Sequence, residues 1–275
     1  MKKILSLVVT LAMFAILAAG CGSTAVAPAA QPTTKAEPVE LTVFAAASMT
    51  ETITQIQALY KTAAPEVTLI INFDSSGTLK TQIEEGADCD LFISAAQKQM
   101  NALDITSDKN TDKLDLIIPE TRTNILENKV VLVVPEGNPG GINAFEDVNT
   151  DKVSMIALGN ADVPVGQYAQ EIFSNMGVWD ALQSKITFGS NVKEVTTQVS
   201  EKAVDCGVVY ATDAYSAGLT AVAEAPAGSL KTPVVYPAAV TRSSKHAEAA
   251  QAFLDYLQSD ACSAVFEKVG FTVVK

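Results

Sequence analysis

Histidine occurs once in these 275 residues and tryptophan once, and charged side chains make up only 18%. The lone His246 has no serine or cysteine partner that spacing would nominate, so no nucleophile and base pair is marked. No HExxH, GxSxG or P-loop sequence occurs, and the four cysteines show no CxxC spacing. Neither an enzyme nor a direct cation site is indicated. Clustered basic residues are missing too, since 19 Lys and Arg face 31 Asp and Glu for a net charge of −12. That balance excludes the phosphate-neutralising surface a nucleic-acid binder needs. It also repels small anions at long range, so an anion site here must rest on local dipoles. Finally, no apolar run is long enough to span a bilayer. The stretch from Ile4 to Ala19, preceded by Lys2 and Lys3, has the length and flanks of a signal peptide, expected over residues 1–20.

What is present is a globular composition, 48% apolar, in a chain long enough for two lobes. Gly20 and Cys21 after Leu17, Ala18 and Ala19 resemble a lipobox, although Ala18 stands where leucine is commoner. By that resemblance Cys21 becomes the acylated first residue, and residues 21–39, rich in Ala, Pro, Thr and Ser, form a flexible tether. An ordinary cleaved signal without lipid is the alternative. Cys89, Cys206 and Cys262 sit in apolar contexts and read as buried, inert thiols, with one disulfide left open.

Leu41 to Phe44 reads as a buried strand that delivers Ser48-Met-Thr-Glu51, a capping-box spacing, to a helix start. Val67 to Phe73 repeats the pattern and delivers Asp74-Ser75-Ser76-Gly77-Thr78, and Asp90 to Ile93 is a third strand ending at Ser94. A helix start offers unpaired N–H groups and partial positive charge, so with a hydroxyl beside it an anion can be held without a cationic side chain. After the strand Lys129 to Val134 the alternation resumes. Val153 to Leu158, a helix opening near Pro164, Ile186 to Phe188, a helix capped by Asn191 with Glu194, and Cys206 to Tyr210 form a second set. The strand Val234 to Thr241 and two closing helices return to the first lobe. The pattern predicts two α/β lobes, residues 40–127 with 233–275 and residues 128–232, crossed near Asn124 to Lys129 and Lys231 to Pro233. Ligands collect at the carboxyl ends of such strands, where Ser48 and Ser76 fall.

Each helix-start serine alone is weak evidence, because serine is a preferred cap. Several facing one another are more informative. The segments VFAAASMTE, FDSSGTLKTQIEEGADCDLFISA, VPVGQYAQE, FGSNVKE, CGVVYATDA and VFEKVGFTVVK resemble, in order, the periplasmic molybdate-binding protein family, the substrate-binding subunits of molybdate ABC importers. The resemblance runs from about Thr42 to the end.

It implies the two-lobed type II periplasmic-binding-protein fold with a ligand cleft between the lobes. It also implies a molybdate or tungstate ligand, no cofactor, and an ABC permease with its ATPase as partners. The protein would be a monomer held outside the cytoplasm, on the cell membrane, by its lipid alone. Position by position, it assigns Ser48 and Ser76 a hydroxyl and a backbone N–H each, Val165 and Val192 a backbone N–H, and Tyr210 its phenolic hydroxyl. Seven donors at about 1.5–3 kcal/mol each amount to roughly 10–20 kcal/mol before the costs of closure. Ala96 replaces a usual aspartate, and Asp74, the one nearby acceptor, is expected to point to solvent. The alternatives are a sulfate- or phosphate-type oxyanion binder and a ligand-sensing module of the same fold. Read blandly, Tyr210 only packs the core, His246 is exposed surface, and Trp179 packs the second lobe.

Overall fold

A computed structural model describes residues 37–274 of the chain. The expected signal peptide, the expected Cys21 lipidation site and all but the end of the expected tether therefore lie outside the described residues. The first sheet begins with β1 (Val39–Ala46), which passes through a 3-10 turn at Ala47–Met49 into α1 (Thr50–Ala63). β2 (Val67–Asp74), α2 (Ser76–Glu84), β3 (Leu91–Ile93), α3 (Gln97–Leu103) and β4 (Thr123–Asn128) follow. β1 pairs in parallel with β2 and β3, as βαβ units require.

The second sheet is built from β5 (Val130–Val134), β6 (Ile156–Gly159), α4 (Pro164–Asn175), α5 (Trp179–Leu182), β7 (Ile186–Gly189), α6 (Val192–Ser200), β8 (Cys206–Tyr210), α7 (Ala211–Ser216) and β9 (Thr220–Glu224). β6 runs parallel to β7 and β8, whereas β5 is antiparallel to β8 and β9. The chain then re-enters the first sheet through β10 (Val234–Val240), followed by α8 (Ala247–Leu257), α9 (Asp260–Val269) and β11 (Thr272–Val273). The two sheet orders are β11-β4-β10-β3-β1-β2 and β7-β6-β8-β5-β9. The result is a two-lobed α/β fold in which two strand-to-strand passages, β4 to β5 and β9 to β10, connect the sheets.

Burial explains the local choices. The β5 sequence VVLVV is buried at every position, the continuous apolar pattern of a strand covered on both faces. On α1, Ile53, Ile56 and Tyr60 lie on one helical face, with the Tyr60 ring 4.8 Å from Phe253 and 4.9 Å from Tyr256 of α8. That contact clamps the returning segment onto the first lobe, and fully burying each such side chain stabilises by about 1.5–3 kcal/mol. In the second lobe the start of α4 presses against the end of β6. A Cβ on Gly166 would lie 2.2 Å from the Gly159 carbonyl oxygen, so only glycine allows that approach.

Two expectations need correction. Asn124 to Lys129, read only as a crossing segment, falls mostly within a strand, β4 (Thr123–Asn128), paired with β10 and β11. The Ser48 capping box does not form. Met49 occupies the N-cap of α1 with no side-chain cap bond, and Ser48 sits one residue earlier, in the 3-10 turn.

Candidate ligand site between the lobes

Four strand ends and three helix starts meet at one hollow. It is lined by Ala46 at the end of β1 with Ala47 and Ser48 after it, Ser75 and Ser76 after β2, Ala95 after β3, Val163 and Pro164 at the start of α4, Val192 at the start of α6, and Tyr210 at the end of β8. No charged side chain lines it. The hollow is tight, with room for about one water molecule.

The local structure decides which groups face inward. Ser75, not Ser76, is the N-cap of α2, its Oγ accepting from Thr78 N at 3.1 Å. That leaves Ser76 at the first helical position, where its own N–H has no partner within the helix. Its Oγ accepts from Ala95 N at 2.9 Å. Asn191 caps α6 by accepting from the N–H groups of Lys193 and Glu194. The Glu194 carboxylate completes the turn on Ser190 rather than on the Asn191 amide, which leaves Val192 as the helix residue at the hollow. α4 opens with Pro164, which has no N–H to leave unpaired.

Of the five residues assigned to a ligand, Ser48, Ser76, Val192 and Tyr210 all line this one hollow. Val165 is fully buried in the first turn of α4, one residue beyond the lining Val163 and Pro164. Tyr210 Oη donates to the Ala95 carbonyl of the opposite lobe at 3.2 Å. Burial holds its phenol far above its usual range, with the neighbouring Tyr236 adding to the effect, so it is a donor and not an anion.

Sequence reasoning missed Tyr236. Its hydroxyl lies 2.9 Å from Ser48 Oγ, accepts from Asn128 Nδ2 at 3.2 Å, and its ring stands edge-on to Tyr210 with centroids 5.8 Å apart. The available signal was a tyrosine within the valine- and alanine-rich β10, since a buried phenol requires a partner. Asp74 does not point to solvent. It is half-buried, its Oδ1 accepting from Ser75 N at 2.7 Å and from Asn191 Nδ2 of the other lobe at 3.5 Å. His246 is exposed, as expected, and Trp179 packs partly buried against the core. Cys89, Cys206 and Cys262 are free and buried.

Several contacts close the cleft. Gly77 N donates to the Asp162 carbonyl at 2.9 Å, Gln99 Nε2 to Gln167 Oε1 at 3.3 Å, and Lys193 pairs with Glu51 at 2.7 Å. Lys193 also faces Asp213 Oδ1 at 3.1 Å, an ion-pair distance reached without hydrogen-bond alignment. Burial raises the Asp213 carboxyl to about 6 against the pull of Lys193. Burial works against the Lys193 charge as well, but Asp213 and Glu51 outweigh it and raise its pKa. Among the described residues no His, Cys, Asp and Glu cluster could hold a metal ion, and no helix is long and apolar enough to cross a membrane.

Residues 41–272 match the family model described as bacterial extracellular solute-binding protein. The molybdate-binding protein ModA of Haemophilus influenzae is 37% identical over 85% of this chain and 90% of its own, and the Escherichia coli ModA is 36% identical over 85% and 89%. YvgL of Bacillus subtilis, provisionally named an ABC transporter substrate-binding lipoprotein, is 36% identical over 94% of both chains. The solved periplasmic molybdate-binding protein of Azotobacter vinelandii superposes with a TM-score of 0.73 over 86% of this chain and all of its own, at 22% identity, a likeness of fold. The chain belongs to the bacterial extracellular solute-binding proteins, with their two-lobed type II fold.

Proposed function

We propose that this protein captures molybdate, or tungstate, between its lobes and delivers it to an ABC permease driven by its ATPase. The observation that carries the reading is the hollow itself. Serine hydroxyls, a tyrosine hydroxyl and helix starts from both lobes converge on one space whose lining holds no charged side chain. A buried dianion loses hydration that only surrounding donors can replace, and an oxyanion without protons offers only acceptors in return. A protonated phosphate would bring an O–H with nothing to accept it. The molybdate-binding relatives at 36–37% identity support the same ligand.

Within this reading Ser48 and Ser76 donate hydroxyls and backbone N–H groups, Val165 and Val192 backbone N–H groups, and Tyr210 its phenol, whose hydrogen leaves the Ala95 carbonyl for the ligand. The protein binds and releases its ligand unchanged, without turnover. Residues 40–127 with 233–275 form one lobe and 128–232 the other, a division supported by the change of sheet after Asn128 and the return at Val234. Cys21 carries the lipid that holds a monomer at the outer face of the membrane. The name of YvgL supports both the transporter partner and the anchor.

Calorimetric titration of the chain from Pro38 onward with molybdate, tungstate, sulfate and phosphate tests the ligand. Tight binding of the first two, abolished by joint Ser48→Ala and Ser76→Ala substitution, is the expected result. Sulfate or phosphate binding more tightly than molybdate would overturn it.

A further inference from the structure

Hydroxyl groups both give and take hydrogen bonds, so a serine beside an anion is useful only if its single hydrogen points at the ligand. The bonds around Ser48 decide that direction. At the far end, Lys129 N donates to Asn128 Oδ1 at 2.8 Å. A backbone N–H cannot act as an acceptor, so this bond fixes which end of the Asn128 amide is oxygen. Nδ2 then faces the other way, donating to Thr212 Oγ1 at 2.9 Å and to Tyr236 Oη at 3.2 Å. Having accepted from Asn128, the fully buried Tyr236 hydroxyl has its own hydrogen to place, and Ser48 Oγ lies 2.9 Å away. The Tyr210 hydroxyl gives its hydrogen to the Ala95 carbonyl, so it is no second donor to Tyr236.

From this chain we infer that Asn128 and Tyr236 form a relay that holds the Ser48 hydroxyl as a donor into the hollow, with Tyr236 the positioning residue. The inference rests on the oxyanion reading above and deepens it. Ser76 is set in the same sense by a shorter route. Its Oγ accepts from Ala95 N, which leaves its hydrogen for the hollow. The two serines of the first lobe thus reach the site with their oxygens already occupied by donors behind them. An incoming oxygen that carries no hydrogen meets two donors, and one that carries a hydrogen meets two serine hydrogens head-on, since each hydroxyl points its hydrogen into the hollow. Selection against protonated oxyanions therefore extends back through β10 to the strand end at Asn128, beyond the residues that touch the ligand.

Tyr236→Phe keeps the ring that packs edge-on to Tyr210 and Phe271 while removing the relay hydroxyl. Titrated with molybdate, this variant should bind about tenfold more weakly than the wild type, the loss of one oriented charge-assisted bond. Combined with Ser48→Ala, it should bind no worse than Ser48→Ala alone, because both act through one hydrogen. The ratio of phosphate to molybdate dissociation constants should narrow in Tyr236→Phe, since the released Ser48 can then accept. Asn128→Leu, which removes the polarity lock while keeping every atom of Tyr236, should weaken molybdate several-fold in the wild type and not at all in Ser48→Ala. Unchanged molybdate affinity in Tyr236→Phe, or losses that simply add to that of Ser48→Ala, would overturn the relay. A wild type that takes up no molybdate would instead remove the oxyanion reading, and the relay's purpose with it.

Discussion

The Gly77 amide donates to the Asp162 carbonyl at 2.9 Å, and a Cβ placed on Gly77 would lie 2.3 Å from that same oxygen. The start of α2 therefore meets the loop before α4 backbone to backbone, and only a glycine permits the approach. Gly77→Ala keeps a helical backbone that alanine favours, so the thermal midpoint should hold or rise slightly. Closure should fail, because neither partner is a flexible side chain that could move aside. Losing even two of the three second-lobe donors, at about 1.5–3 kcal/mol each, predicts molybdate affinity at least about a hundredfold weaker. Calorimetry beside a thermal melt checks this. An unchanged dissociation constant would show that the lobes need not meet at Gly77.

Ser75 and Ser76 are adjacent and chemically identical, yet the structure gives them separate tasks. Ser75 Oγ caps α2, whereas Ser76 Oγ accepts from Ala95 N and lines the hollow beside Ser48. Ser75→Ala should lower stability by about 1 kcal/mol, the usual worth of a cap, and weaken molybdate binding little. Ser76→Ala should do the reverse, weakening binding about tenfold or more at nearly constant stability. Denaturant midpoints and titrations on the two variants separate these roles. Equal affinity losses would mean that Ser76 acts only by completing the helix start.

Most of the site was legible because it sits where local signals are strongest. Val67–Asp74 is β-branched and the serines after it mark a helix start, so strand, turn and Ser76 follow from neighbours in sequence. Ser48 was found for the wrong local reason. Its spacing to Glu51 suggested a capping box, but the chain makes a 3-10 turn first, and the Ser48 hydroxyl oxygen meets Tyr236, 188 residues away. Tyr236 itself was hidden because its placement depends on register. β10 pairs Tyr236 with Leu126 and then shifts at Pro237, which has no N–H to give the ladder. β4 was missed for the same reason. Its residues TNILEN carry no continuous apolar run, and its partners arrive only with the returning segment.

The three cysteines give a prediction independent of the ligand. Cys89, Cys206 and Cys262 are buried and unpaired, and burial pushes the Cys206 thiol up to about 12 and raises the other two. A thiol reacts as its thiolate, and all three are both shielded and protonated at neutral pH. A colorimetric thiol reagent should find almost no reactive group among them in the native protein and all three after denaturation. Fast native labelling of any one would place it at the surface.

The pair of Lys193 with Asp213 makes stability depend on pH in a direction opposite to ordinary acid denaturation. Asp213 is fully buried, and burial lifts its carboxyl from 3.8 to about 6, with Glu51 adding a little and Lys193 opposing. A folded pKa above the unfolded one means that the native state binds the extra proton. Its contribution to stability is complete below about 4 and is lost as pH rises through about 6. In the wild type Lys193, 3.1 Å away, limits that loss. Lys193→Met keeps the length of the side chain and removes its charge, leaving Asp213 with no counter-charge. The variant should be destabilised by roughly 3 kcal/mol at pH 8, the low end for breaking a buried pair because the Lys193 side chain is 27% exposed. At pH 5, where Asp213 can be protonated, most of that deficit should disappear. Glu51→Gln, which breaks only the half-exposed bridge across the cleft, should cost no more than about 1 kcal/mol at either pH. Urea midpoints of the three proteins at the two pH values decide the matter. A Lys193→Met deficit that stays constant from pH 8 to pH 5 would show that Asp213 is not the group left uncompensated.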